Sequence, residues 1–196
     1  MTAGELAARR PVWIALSELF LDTDVRMAYV SIAETLAASA YSLAELRRIL
    51  DDEVTPVLQG NLCQVAGEWC GFDEEWLVEQ ISARFGKRRW RPALLNLDSD
   101  WRALTALVAR LRNLPDPAAR ARRLSAWRAL MPLLLHRDQL ASGHSGGPAQ
   151  EEAAIFREEL WPLLIDEVRR LARSQPAVYP DEAMVEANWS RWSKRK

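Results

Sequence analysis

The chain has 196 residues, 49% hydrophobic and 27% charged, and its 26 Lys and Arg nearly balance 27 Asp and Glu to leave a formal net charge of −1. A chain of that length buries roughly 70% of its unfolded surface, ample for one core or two small ones, so neither a metal nor a disulfide is needed to hold it together. Cys63 and Cys70 alone cannot supply the closely spaced Cys and His set of a structural zinc site, and no apolar run approaches the roughly 18 residues that mark a membrane span.

No basic and then apolar leader opens the chain, so a reduced, cytoplasmic protein without cofactor or membrane contact is expected. Residues 1–98 carry 10 basic against 15 acidic side chains, a balance of −5, and residues 99–196 carry 16 against 12, a balance of +4. Halves of opposite sign attract each other as readily as they attract an outside partner. Arg greatly outnumbers Lys and Ala is abundant, the composition expected of a bacterial chain.

From Pro11, a residue suited to a first helical turn, Trp13, Leu16 and Phe20 recur on one helical face. Asp22-Thr23-Asp24 supplies a break and a new cap, and Tyr29, Ile32, Ala33, Leu36 and Ala40 form the apolar stripe of a second helix. Ser42 and Glu45 make a capping box for a third, which carries Leu43, Leu46, Ile49 and Leu50. Asp51-Asp52-Glu53 closes that helix with the wrong sign for its dipole, as a solvated face before an interruption at Pro56 or, alternatively, a site for a cation or a basic partner.

The stretch Val65 to Leu77, interrupted by Gly67 and Gly71, holds Trp69, Phe72 and Trp76 within eight residues, the pattern of an aromatic joint at a core corner, with an aromatic ligand pocket as the alternative. Gly71 lets the chain turn, Asp73 caps the next helix, and Glu74 and Glu75 occupy its dipole-favoured first turn. Leu77, Val78, Ile81 and Phe85 carry that helix to a stop at Gly86. The basic run Lys87-Arg88-Arg89-Trp90-Arg91-Pro92 then divides the chain into an N-terminal module, residues 1–92, and a C-terminal module, residues 93–196, built as two cores or one.

Asp98 or Ser99 caps the next helix, with Trp101, Leu104, Val108 and Leu111 inside. Asp116-Pro117 restarts the chain as Leu124, Trp127, Met131 and Leu134, with a kink or division at Pro132. After the Gly- and Ser-rich loop Ala141 to Gln150, a long helix from about Glu151 buries Phe156, Leu160, Leu164, Val168 and Leu171 and is kinked at Pro162. Val185, Trp189 and Trp192 mark a short final helix. No segment alternates like a strand, so an all-α fold of about seven to nine helices in two packed halves is expected. A faint echo links Thr55-Pro56-Val57-Leu58, Met131-Pro132-Leu133-Leu134 and Trp161-Pro162-Leu163-Leu164, at spacings too unequal to define a repeat.

No complete catalytic set emerges. Gly143-His144-Ser145-Gly146-Gly147 fits a nucleophile elbow, but no apolar strand precedes it and no histidine follows Ser145. His136-Arg137-Asp138 matches part of a kinase catalytic loop without its metal-binding asparagine or a phosphate loop. His136 and His144 are too far apart for a helix-borne zinc pair, and the acid pairs Glu151-Glu152, Glu158-Glu159 and Asp166-Glu167 read as solvated faces.

Arg10-Pro11-Val12-Trp13, then Leu16 to Thr23, then Val65-Ala66-Gly67-Glu68-Trp69 with Gly71-Phe72-Asp73, resemble an uncharacterised bacterial protein family of unknown function. The resemblance covers about residues 9–85 and implies a bacterial helical module with no assigned activity; the second half resembles no family. Abundant Trp and Arg, the residue types that anchor interfaces best, favour a non-enzymatic protein-interaction module: an adaptor, regulator or neutralising partner of an unidentified protein. Lys87, Arg88, Arg89, Trp90, Arg91 and Trp192 are its candidate surface. The alternatives are nucleic-acid binding, with the Lys87 to Arg91 cations on phosphates and Trp90 stacked on a base, and a hydrolase using Ser145.

Overall fold

The computed structural model describes residues 1–61, 71–86, 97–114, 116–135 and 154–162, together with residues 165, 169, 173, 183 and 187. Every regular element among the described residues is helical, in agreement with the all-α expectation. The chain divides into two compact units, Met1–Asn113 and Leu114–Lys196. That division falls beyond the 92/93 position suggested by the basic run, because helix α6 (Asp98–Arg112) packs on α2 (Tyr29–Ala38) and so belongs to the first unit.

Helix α1 (Ala3–Ser17) starts earlier than Pro11. The Thr2 hydroxyl accepts from the Glu5 amide at 3.2 Å while the Glu5 carboxylate accepts from the Thr2 amide at 2.6 Å, a complete capping box. Pro11 therefore sits inside the helix. Val12, Trp13 and Leu16 are fully buried, and a short 3-10 turn (Glu18–Phe20) adds Leu19 and Phe20 to the same core. Asp24 caps a second 3-10 turn (Val25–Ala28), as expected, and its carboxylate also grips the buried Arg26 side chain.

Tyr29, Ile32, Ala33 and Leu36 form the buried stripe of α2, whereas Ala40 lies beyond its end and is exposed. The last carbonyls of a helix have no partner within it. Arg112 supplies one, donating to the carbonyls of Leu36 at 2.8 Å, Ser39 at 3.2 Å and Tyr41 at 2.7 Å. One guanidinium thus ends α2 and ties α6 to it, at the helix end where positive charge is favoured. Asp98 does not cap α6 through its side chain; it accepts from Arg47 at 3.1 Å, and Asp100 accepts from the Tyr29 hydroxyl.

The Ser42 and Glu45 capping box opens α3 (Leu43–Arg48) as expected. The chain does not break at the acidic triplet. It passes through a π-helical turn (Ile49–Val54) directly into α4 (Thr55–Leu58), with Leu46, Leu50, Val54 and Leu58 inside. A π turn re-aims backbone carbonyls just ahead of Pro56, whose missing N–H and bulky ring fit poorly into a regular helix. Helix α5 (Glu74–Arg84) is capped by Asp73, which accepts from the Trp76 amide at 2.8 Å, and buries Leu77, Val78 and Ile81. Gly71 at φ +131° and Gly86 at φ +75° make the turns on either side, conformations that cost other residues more.

In the second unit, Asp116 caps α7 (Pro117–Leu135) by accepting from the Ala119 amide at 2.7 Å. Leu124, Trp127 and Met131 are buried, and the helix runs undivided through Pro132. A second π turn (Phe156–Leu160) buries Leu160 and precedes Pro162, which stays helical. Leu164, Val168, Leu171, Val185, Trp189 and the loop Ala141 to Gln150 lie outside the described residues.

Candidate functional site

The start of α5 carries the largest exposed aromatic side chain among the described residues. Trp76 is 44% exposed, and its ring stacks on the half-buried Phe72 with centroids 6.3 Å apart and planes 21° apart. The core-corner expectation is therefore wrong for Trp76. Asp73 holds the backbone of the first turn so that Leu77 and Val78 face inward, and Trp76, one position earlier, faces out.

Charged groups border the pair. Arg10 reaches from α1 to the first turn of α5, donating to Glu75 at 2.5 Å and Glu74 at 3.5 Å. Its hydrogen bond to Glu75 holds the guanidinium above its ordinary pKa, and the residue stays fully charged. Asp73, Glu74, Glu75 and Glu79 are all exposed, so the border is mainly acidic. An exposed aromatic platform inside such a border can fill an apolar recess on another protein while the carboxylates meet basic groups around it.

Two further polar clusters lie inside the units rather than on them. In the first, the fully buried Trp13 donates its indole N–H to Glu53 at 2.6 Å, and Arg9 donates to the other carboxylate oxygen at 3.3 Å. The Arg9 guanidinium lies 5.0 Å from the Phe85 ring and 5.5 Å from the Tyr41 ring. Glu53 is thus an internal acceptor for a basic partner within its own chain, while Asp51 pairs with Arg47 at 2.7 Å on the surface. In the second unit, Trp127 donates its indole N–H to Glu159 at 3.1 Å, and Arg123 pairs with the same carboxylate. Glu159 is buried, contrary to the solvated face expected of Glu158-Glu159. A buried indole N–H needs an acceptor, and that need was the signal that could have found both glutamates.

The candidate surface Lys87, Arg88, Arg89, Trp90, Arg91 and Trp192 lies outside the described residues, as do Trp69, Ser145 and both histidines. Among the described residues, no cluster of three or more His, Cys, Asp or Glu could hold a metal ion, and no helix is long and apolar enough to cross a membrane.

Neither a curated protein nor a solved structure matches the chain. A family model for a domain of unknown function, DUF7079, matches residues 7–113. That span takes in the resemblance seen over residues 9–85 and continues through α6, whose packing on α2 makes it part of the same unit. The chain is a member of the DUF7079 family.

Proposed function

We propose that the chain is a non-enzymatic protein-interaction module of the bacterial cytoplasm, and that its DUF7079 unit docks a protein partner through Trp76 and Phe72. The observation that carries this is the exposure of Trp76, stacked on a half-buried Phe72, in a unit whose Trp13 is wholly buried. A large ring left in water loses the burial that stabilises Trp13, and a partner surface restores it. The acidic border selects a partner whose recess is surrounded by Lys or Arg, and it opposes the approach of phosphates to this patch. An Arg- and Ala-rich composition and the low cysteine content support the bacterial and cytoplasmic setting.

The test is affinity capture of the tagged full chain from its own cell, in parallel with Trp76→Ala and with Phe72→Ala. The proposal expects a partner held by the unaltered chain and lost from Trp76→Ala. A partner set unchanged in both variants refutes docking at this patch. Because Trp76 is exposed, its removal leaves the fold intact, and matching circular dichroism spectra check that.

A further inference from the structure

We infer that the second unit is a divergent second copy of the first unit's core, in which Arg123, Trp127 and Glu159 rebuild the triad of Arg9, Trp13 and Glu53. The family match ends at residue 113 and assigns nothing to this unit.

The helices that donate to the two glutamates agree in register. Helices α1 and α7 each begin one residue after a capping side chain, and that side chain accepts from the amide three residues on: Thr2 from Glu5, Asp116 from Ala119. Counted from those caps, Arg9 and Arg123 fall at the same place, as do Trp13 and Trp127. The match continues without a gap through Ala15 and Ala129, Leu16 and Leu130, Leu19 and Leu133, and Leu21 and Leu135. Val12 and Ala126, which precede the tryptophans, are both buried.

The accepting segments agree as well. Ile49-Leu50-Asp51-Asp52-Glu53-Val54-Thr55-Pro56 stands against Ile155-Phe156-Arg157-Glu158-Glu159-Leu160-Trp161-Pro162. Ile, Glu and Pro are identical, and Leu against Phe, Asp against Glu and Val against Leu keep their character. Each segment forms a π turn, buries its Ile and the residue after its Glu, and exposes the two residues before that Glu. In each triad the indole N–H and the arginine use opposite oxygens of one carboxylate.

A buried indole can satisfy its N–H with a backbone carbonyl, a hydroxyl or an amide, so one acceptor in common would mean little. The same cap, the same Arg and Trp register, a glutamate in a rare π turn and a proline three residues later form a chain of independent agreements. The unequal spacing of the proline echo has a simple origin. Tryptophan and glutamate are 40 residues apart in the first unit and 32 in the second, so no single shift aligns both blocks, and a shortened connection costs little. Met131-Pro132 falls opposite Ser17-Glu18 and is not a third member of the echo.

The test is a segment exchange in the full chain. Residues 155–162 are replaced by the eight residues Ile49 to Pro56, and in a control by the eight residues one place out of register, Leu50 to Val57. The readout is hydrogen exchange of the Trp127 indole N–H, assigned by its loss in Trp127→Phe. The inference expects slow exchange to persist in the in-register chimera and to be lost in the control. Loss in both chimeras, or retention in both, overturns it. Glu159→Leu, which removes the acceptor, sets the fully exchanged reference.

Discussion

Replacing Glu53 with Leu strands two donors in the first unit, and the structure sets the size of the effect. Trp13 is fully buried, so its indole N–H loses its acceptor and has no water to replace it. The lost charge-assisted hydrogen bond is worth roughly 1.5–3 kcal/mol, and an unsatisfied buried donor costs a further ~1–3 kcal/mol. Arg9 keeps 20% of its side chain in solvent and its contacts to the Tyr41 and Phe85 rings, so it adds little. Leu returns part of the loss as apolar burial, about 1 kcal/mol. The net loss is about 1.5–5 kcal/mol. Urea unfolding followed by far-ultraviolet circular dichroism converts this into a midpoint lowered by on the order of 1–2 M for the first unit. Glu53→Gln keeps a carbonyl acceptor and should lose roughly half as much. A loss under about 0.5 kcal/mol for Glu53→Leu, the range of an ordinary surface substitution, refutes the triad as a stabilising element.

Further outcomes follow from other residues. Arg112→Met removes the guanidinium from the carbonyls of Leu36, Ser39 and Tyr41 and leaves only the Ser39 amide and hydroxyl on Leu36; it should cost about 2–4 kcal/mol and speed amide exchange in the last turn of α2, leaving the α3 cap unchanged. Ser42→Ala should cost about 1 kcal/mol at neutral pH, as a lost cap does. The Ser42 hydroxyl and amide hold the Glu45 carboxyl below its ordinary value, so this contribution is present above that value and fades as pH falls through the lowered one; the Ser42→Ala penalty should shrink in acid. Glu18 has the opposite sign: burial raises its pKa, so its charge opposes folding at neutral pH and the penalty vanishes below about 4.5. Glu18→Gln should therefore raise the melting temperature at pH ~7 but not in acid, and an equal gain at both would contradict the assignment.

Local chemistry was legible in the sequence, and long-range pairing was not. Ser42 with Glu45, Asp24, Asp73 and Asp116 cap helices through contacts within a few residues, so the order of residue types was enough to place them. Thr2 and Glu5 form the same box, but the sequence does not single them out, because the two turns they open are mostly exposed and the apolar pattern begins only near Val12. Glu53 and Glu159 sit in runs of acidic residues that resemble a solvated face, and what buries them is a Trp and an Arg far away in the chain. Trp76 failed in the other direction. Its size suggests core, but the cap at Asp73 fixes the helix so that the neighbouring Leu77 takes the inward position. The π turns were hidden as well, since Pro56 and Pro162 signal a break that a widened turn avoids.

The most direct test of docking through Trp76 is fluorine NMR of the full chain labelled with 5-fluorotryptophan, whose nine tryptophans give separate signals, with Trp76, Trp13 and Trp127 assigned by Phe substitution. The Trp76 signal should show the solvent isotope shift of an exposed ring, then move and lose that shift when the captured partner is added, while the Trp13 and Trp127 signals stay in place. A bound partner that leaves the Trp76 signal unmoved would contradict the proposed docking surface.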